Sequence, residues 1–145
     1  MEETLIVIML KERETGFFYK ELCSISIGNM EKYLQNINGQ YTEDNKIVLN
    51  MLVTTNRDVL DWEYDGILDI YEVENIKVLS EIISVEEVQD CFNPTWSIKF
   101  LYDEALNDDE LESFVLKILK LHKKELDDTY ETLEEVKDDY INNEE

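Results

Sequence analysis

The densest run of potential ligand side chains is DWEYDGILDIYE, residues 61–72. Asp61, Glu63, Asp65, Asp69 and Glu72 fall at positions 1, 3, 5, 9 and 12 of that stretch. This is the spacing at which carboxylates wrap a calcium ion. Gly66 sits where such a loop turns sharply, and Ile67 would add a backbone carbonyl.

Over these twelve residues alone the run resembles the EF-hand pattern, from which Glu63 departs. The surroundings fit it poorly. The preceding residues 46–54 read as a strand, not a helix. Trp62 and Tyr64 are costly to leave in a solvated loop, and there is no second loop to pair with. Read at helical period, residues 56–73 form an amphipathic helix. Leu60, Tyr64, Ile67 or Leu68, and Tyr71 then line one face, and Asp58, Asp61, Asp65 and Asp69 another. Like charges four residues apart cost a few tenths of a kcal/mol per pair. Such a ridge is a solvated face or a docking face for a basic partner.

Other chemistries find little support. The single histidine, His122, lies among Lys117, Lys120, Lys123 and Lys124 and reads as a surface or boundary residue. Cys23 falls on the apolar face of a strand and reads as a packed, inert thiol, so a Cys–His nucleophile with Cys23 or Cys91 would need folding proximity alone. Zinc needs more His and Cys than the chain offers. Glu21 is the most plausible half-buried carboxylate for acid catalysis. Gly16, Gly28, Gly39 and Gly66 are too scattered for a phosphate loop or a dinucleotide fingerprint. Trp62 and Trp96 read first as core and second as a binding surface. The expectation is therefore a non-enzymatic protein without a cofactor.

The elements that must position these residues follow from hydrophobic period. Residues 4–10 are an apolar central strand. Residues 17–27 alternate Phe17, Tyr19, Cys23, Ile25 and Ile27 against Lys20, Ser24 and Ser26, giving an N-terminal hairpin. A short helix is expected over 29–35, a polar turn-rich segment over 36–45, and strands over 46–54, 77–89 and 95–102. Asn107 and Glu110 form the two halves of a capping box before a long C-terminal helix. The fold class is α+β: an antiparallel sheet of about five strands with helices on one face. Residues 1–124 read as one domain, and 125–145, with ten acids and one lysine, as an acidic helical extension or frayed tail. Leu119, Leu126, Leu133 and Tyr140 recur every seven residues, a seam through which the helix could form a homodimer.

Composition sets the wider bounds. The chain has 145 residues, 43% of them hydrophobic, enough for one core. Asp and Glu number 35 against 13 Lys and Arg, a net charge of −22. That field repels nucleic-acid phosphates and anionic membrane surfaces. It suits a basic protein partner, a cation or an acidic mimic of nucleic acid that fills a basic groove. The acidic start and the lack of a membrane-length apolar run place the protein in the cytoplasm, with both cysteines free.

DWEYDGILDIY (61–71) and NPTW (93–96) resemble pieces of a family of small acidic bacterial proteins of unknown function. The resemblance covers about 40 residues by this reading. It implies a bacterial cytoplasmic source, favours the helical reading of 61–71, and transfers no activity and no site residues. The leading functional expectation is an interaction or regulatory domain with an acidic surface. A calcium- or other cation-binding module at Asp61–Glu72 is the principal alternative.

Overall fold

The computed structural model describes residues 5–12, 14–15, 17–44, 46–102 and 107–142. The expected strand start at Thr4, the turn at Gly16 and the tail acids Glu144 and Glu145 lie outside them. The described chain runs β1 (Leu5–Lys11), β2 (Phe18–Ser26), a 3-10 turn (Gly28–Tyr33), β3 (Leu34–Tyr41), β4 (Ile47–Thr54), α1 (Asp61–Ile70), a second 3-10 turn (Val73–Asn75), β5 (Ile82–Glu87), β6 (Thr95–Tyr102) and α2 (Asp108–Asn142). It is an α+β fold. The six strands form one sheet in the order β2-β1-β3-β4-β6-β5.

Two expectations about the sheet need correction. It has six strands rather than five, and it is mixed rather than antiparallel: β1 pairs with β3 in parallel, while the other pairs are antiparallel. The added strand is β3, LQNINGQY, expected as helix and turn. Its outward residues Asn36, Asn38 and Gln40 are polar, and between Leu34 and Tyr41 at its ends only Ile37 and Gly39 occupy the core face, so the alternation of a strand is present with too little apolar weight at its centre to be seen. Gly39 packs closely there, and a Cβ would come within 2.9 Å of the methyl tips of both Leu22 and Leu49, which would have to shift. The hairpin β1–β2 forms as expected, with a bulge at Leu22. The chain then returns through the 3-10 turn to lie beside β1, and that return produces the parallel pair.

One face of the sheet is buried. In β4, Ile47, Leu49, Met51 and Val53 are buried while Val48, Asn50, Leu52 and Thr54 are half-exposed. The same alternation places Trp96, Ile98 and Phe100 of β6 in the core. Against this face lies α2, contributing Leu111, Val115, Ile118, Leu119 and Leu126. Its first turn is capped as expected, the Glu110 N–H donating to Asn107 Oδ1 at 2.8 Å.

The long helix runs without a break from Asp108 to Asn142. Its heptad residues turn inward: Leu119, Leu126 and Leu133 are buried, and Tyr140 packs against the core. The second half of α2 lies along α1. At their closest approach a Cβ on Gly66 would collide with Leu133 Cδ1. Gly66 thus serves helix contact, not a sharp turn. Alanine would gain about 1 kcal/mol in helix propensity and lose about 1–3 kcal/mol to overpacking. Gly66→Ala is expected to destabilise the protein in urea unfolding. In a Leu133→Ala background the same change should become neutral or stabilising.

Candidate functional site

The segment that carries the predicted ligands is a helix flanked by anchors. Ahead of α1, the Arg57 guanidinium grips Glu63 with both nitrogens, Nη1 to Oε1 at 3.2 Å and Nη2 to Oε2 at 2.8 Å. The Leu60 N–H donates to the same carboxylate at 2.9 Å, so Glu63 also caps its own helix. The Arg57 hydrogen bonds hold Glu63 below the usual carboxylate range, with the Leu60 N–H adding to them against the opposing effect of burial. Arg57 in turn lies 4.8 Å over the Tyr130 ring of α2. Burial pushes the Tyr130 hydroxyl up to about 12. Asn93 ties the β5–β6 connection to this end of α1: its Oδ1 accepts from the Val59 N–H and its Nδ2 donates to Asp58.

The five expected metal ligands are therefore placed apart. Asp61, Asp65 and Asp69 lie along the exposed side of α1 at four-residue steps, Glu63 turns inward to Arg57, and Glu72 stands beyond the helix end. Among the described residues no three His, Cys, Asp or Glu are grouped to hold a metal. What α1 does assemble is an anionic patch with α2. The Tyr140 hydroxyl donates to Asp69 Oδ2 at 3.1 Å. Burial raises its pKa, and so do the bond to Asp69 and the nearby charges of Asp139 and Asp65. Carboxylates from both helices thus surround one tyrosine. No ion pair among the described residues involves Asp61, Asp65, Asp69 or Asp139.

Behind this flank runs a buried polar chain that the sequence did not reveal. His122 is not a surface or boundary residue: it is fully buried. Its lysine neighbours in sequence point away from the core on the other faces of α2, which hides its position from any local reading. His122 Nε2 lies 2.7 Å from the Thr54 carbonyl and Nδ1 lies 2.7 Å from the Tyr71 hydroxyl. A carbonyl only accepts, so Nε2 carries the hydrogen and Nδ1 accepts from Tyr71. Tyr71 stacks on Trp96 at 4.0 Å, and the rings of Tyr33 and Trp96 stand edge-on to His122. Trp96 is core, and its Nε1–H has no acceptor among the described residues. One turn along α2, the buried Glu125 accepts from the Glu72 N–H at 3.1 Å and from Asn75 Nδ2 at 2.6 Å.

The remaining candidates stay separate. Glu21 is exposed rather than half-buried, accepting from Ser24, because the bulge in the β1–β2 pair sets it opposite Met9 on the uncovered face. Cys23 is buried, and burial, with Asp108 and Glu21 adding, pushes its thiol up to about 11, far from a reactive thiolate. His122 is engaged by Thr54 and Tyr71 rather than by a cysteine. Trp62 is half-buried beside the core.

Fold and flank together define an α+β domain with a one-sided sheet and an acidic helical pair. The chain belongs to the Family of unknown function (DUF6762), which matches residues 1–141. A family of unknown function is what 61–71 and 93–96 led one to expect, and the match spans nearly the whole chain rather than about 40 residues. No curated protein and no solved structure matches it. Among the described residues no helix is long and apolar enough to cross a membrane.

The buried imidazole makes stability depend on pH. Burial lowers the His122 pKa from 6.5 to about 4, against the raising effect of its bond to Thr54. The unfolded chain therefore binds a proton that the folded one refuses. The contribution is fully present above the unfolded value and is lost as pH falls from about 6.5 towards 4. Its full size is on the order of 3 kcal/mol. Urea unfolding at neutral pH and near pH 5 should show a loss in the wild type that is absent from His122→Gln. Equal pH dependence in the two would refute the assignment.

Proposed function

We propose that the protein is a non-catalytic interaction domain that binds a basic partner through the acidic flank of α1 and α2. The observation that carries this reading is the row Asp61, Asp65 and Asp69, exposed at four-residue steps and joined by Asp139 at Tyr140, with no cation paired to any of them among the described residues. The row disfavours its own helix by a few tenths of a kcal/mol per neighbouring pair. A surface serving solubility alone would not need the charges aligned. A cationic helix or Lys/Arg-rich segment laid along α1 would relieve that repulsion and gain charge complementarity.

The other readings are less well supported. A cation module would have to gather carboxylates that α1 spreads along its length. As a mimic of nucleic acid, the ridge offers one charge per four residues, about 6 Å of helix, against about 3.4 Å per phosphate on one DNA strand. A bacterial cytoplasmic setting goes with the proposal, in keeping with two free thiols.

A lysine-rich peptide titrated into the protein at low ionic strength should bind. Binding should weaken steeply as salt is raised, because exposed charges are screened. Replacing Asp61, Asp65 and Asp69 together by asparagine should reduce affinity about tenfold or more while leaving the fold intact or slightly stabilised. Affinity that ignores both salt and the triple substitution would defeat the proposal.

A further inference from the structure

The face of the sheet left uncovered by α2 is polar and carries both signs of charge, Glu21 and Glu86 as well as Lys11 and Lys99. Register sets Met9, Asn38, Asn50, Lys99 and Ser84 in one row across β1, β3, β4, β6 and β5. The next row brings Lys11, Gln40, Val48 and Leu101 together. Between Ile82 and Ser84 a bulge gives β5 one extra residue. That residue, Ile83, joins the uncovered face at the end of the rows. Of these, Asn38, Asn50, Lys99, Gln40, Val48 and Ile83 are among the residues that line a concavity of about 350 Å³.

Asn38 forms its floor: the residue is only 7% exposed, and its side-chain amide, which makes no hydrogen bond to the described residues, opens on the concavity. Beside it, Asn50 Oδ1 accepts from Ser97 Oγ at 2.6 Å, which leaves the Asn50 NH₂ as a donor. Lys99 is exposed at the rim and forms no ion pair among the described residues. Val48 and Ile83 supply apolar wall.

Among the described residues no acid lines this concavity, although acids make up 35 of the 145 residues. A larger cavity of about 680 Å³ beside Phe100 and Phe114 shows the contrast, being lined by Glu81, Asp109 and Glu110. Two amide donors, an ammonium group and an apolar wall, with no carboxylate among the described residues, form a receptor for negative charge on a carbon skeleton.

We infer that the uncovered sheet face carries a binding site for a small organic anion, a carboxylate or phosphate whose oxygens accept from Asn38, Asn50 and Lys99. The site is independent of the acidic flank.

Nitrogen-15 NMR of the side-chain amides tests it, with citrate, inorganic phosphate and uncharged sorbitol as probes. Citrate or phosphate at millimolar concentration should shift the Asn38 and Asn50 amide resonances, and sorbitol should not. Lys99→Gln should weaken the response roughly tenfold. Asn38→Asp should abolish it, with Asn38→Ser as the substitute if that variant does not fold. Binding of the lysine-rich peptide to the flank should be unchanged in all of them. No shift with either anion, equal shifts with sorbitol, or an unaltered response in Lys99→Gln would overturn the inference.

Discussion

The geometry of this protein depends on the need of two buried polar side chains on α2 for partners. His122 and Glu125 sit three residues apart on the inner side of the helix, and in the interior each must be hydrogen-bonded or lower stability by several kcal/mol. Their partners come from three places in one stretch of chain: the last carbonyl of β4 at Thr54, the hydroxyl of Tyr71, and the backbone of Glu72 with the amide of Asn75. Everything between Thr54 and Asn75, α1 included, is therefore held at both ends against the same turn of α2. With the ends fixed, Gly66 allows the helices to close on each other, and the outward side of α1 is bound to present its aspartates.

Charge and shape are consequently sorted across the molecule. The helical side carries carboxylates in rows, some of them met by lysines of α2 itself, as in Lys123–Asp127 and Lys124–Asp128. The sheet side, one layer away, mixes amides with charges of both signs, Lys99 among them and Glu21 at its margin. A chain with so large an imbalance of charge nonetheless keeps one concavity without a carboxylate among the described residues.

How much of this could be read from residues alone varied with how local each determinant is. β4 and β6 alternate apolar and polar side chains strongly, and the cap at Asn107 is a contact within one turn, so each is written in its own segment. The helical period of Leu60, Tyr64, Ile67 and Tyr71 likewise pointed to α1. β3 was hidden because its outward residues face the polar concavity, whose amides look like turn residues in sequence. The parallel pairing of β1 with β3 is a property of the return path and has no local signature. The burial of His122 was masked by the lysines beside it, and the role of Glu63 by the calcium-like spacing, since its partner Arg57 lies outside that spacing. The anionic row was legible from the start. Its union with Asp139 at Tyr140 was not, because it brings together helices that are distant in sequence.

The extra residue in β5 has a second effect. A flat outer strand would expose a row of unpaired N–H and C=O groups on which another chain could build, the usual route from an open sheet to fibrils. β5 is six residues long, is distorted at Ile83 and ends in Glu86 and Glu87. Across the sheet, the other outer strand, β2, carries its own irregularity and exposes Lys20 and Glu21. Both margins are thus poor templates. The domain can leave a whole sheet face bare to solvent and still resist polymerising through its edges.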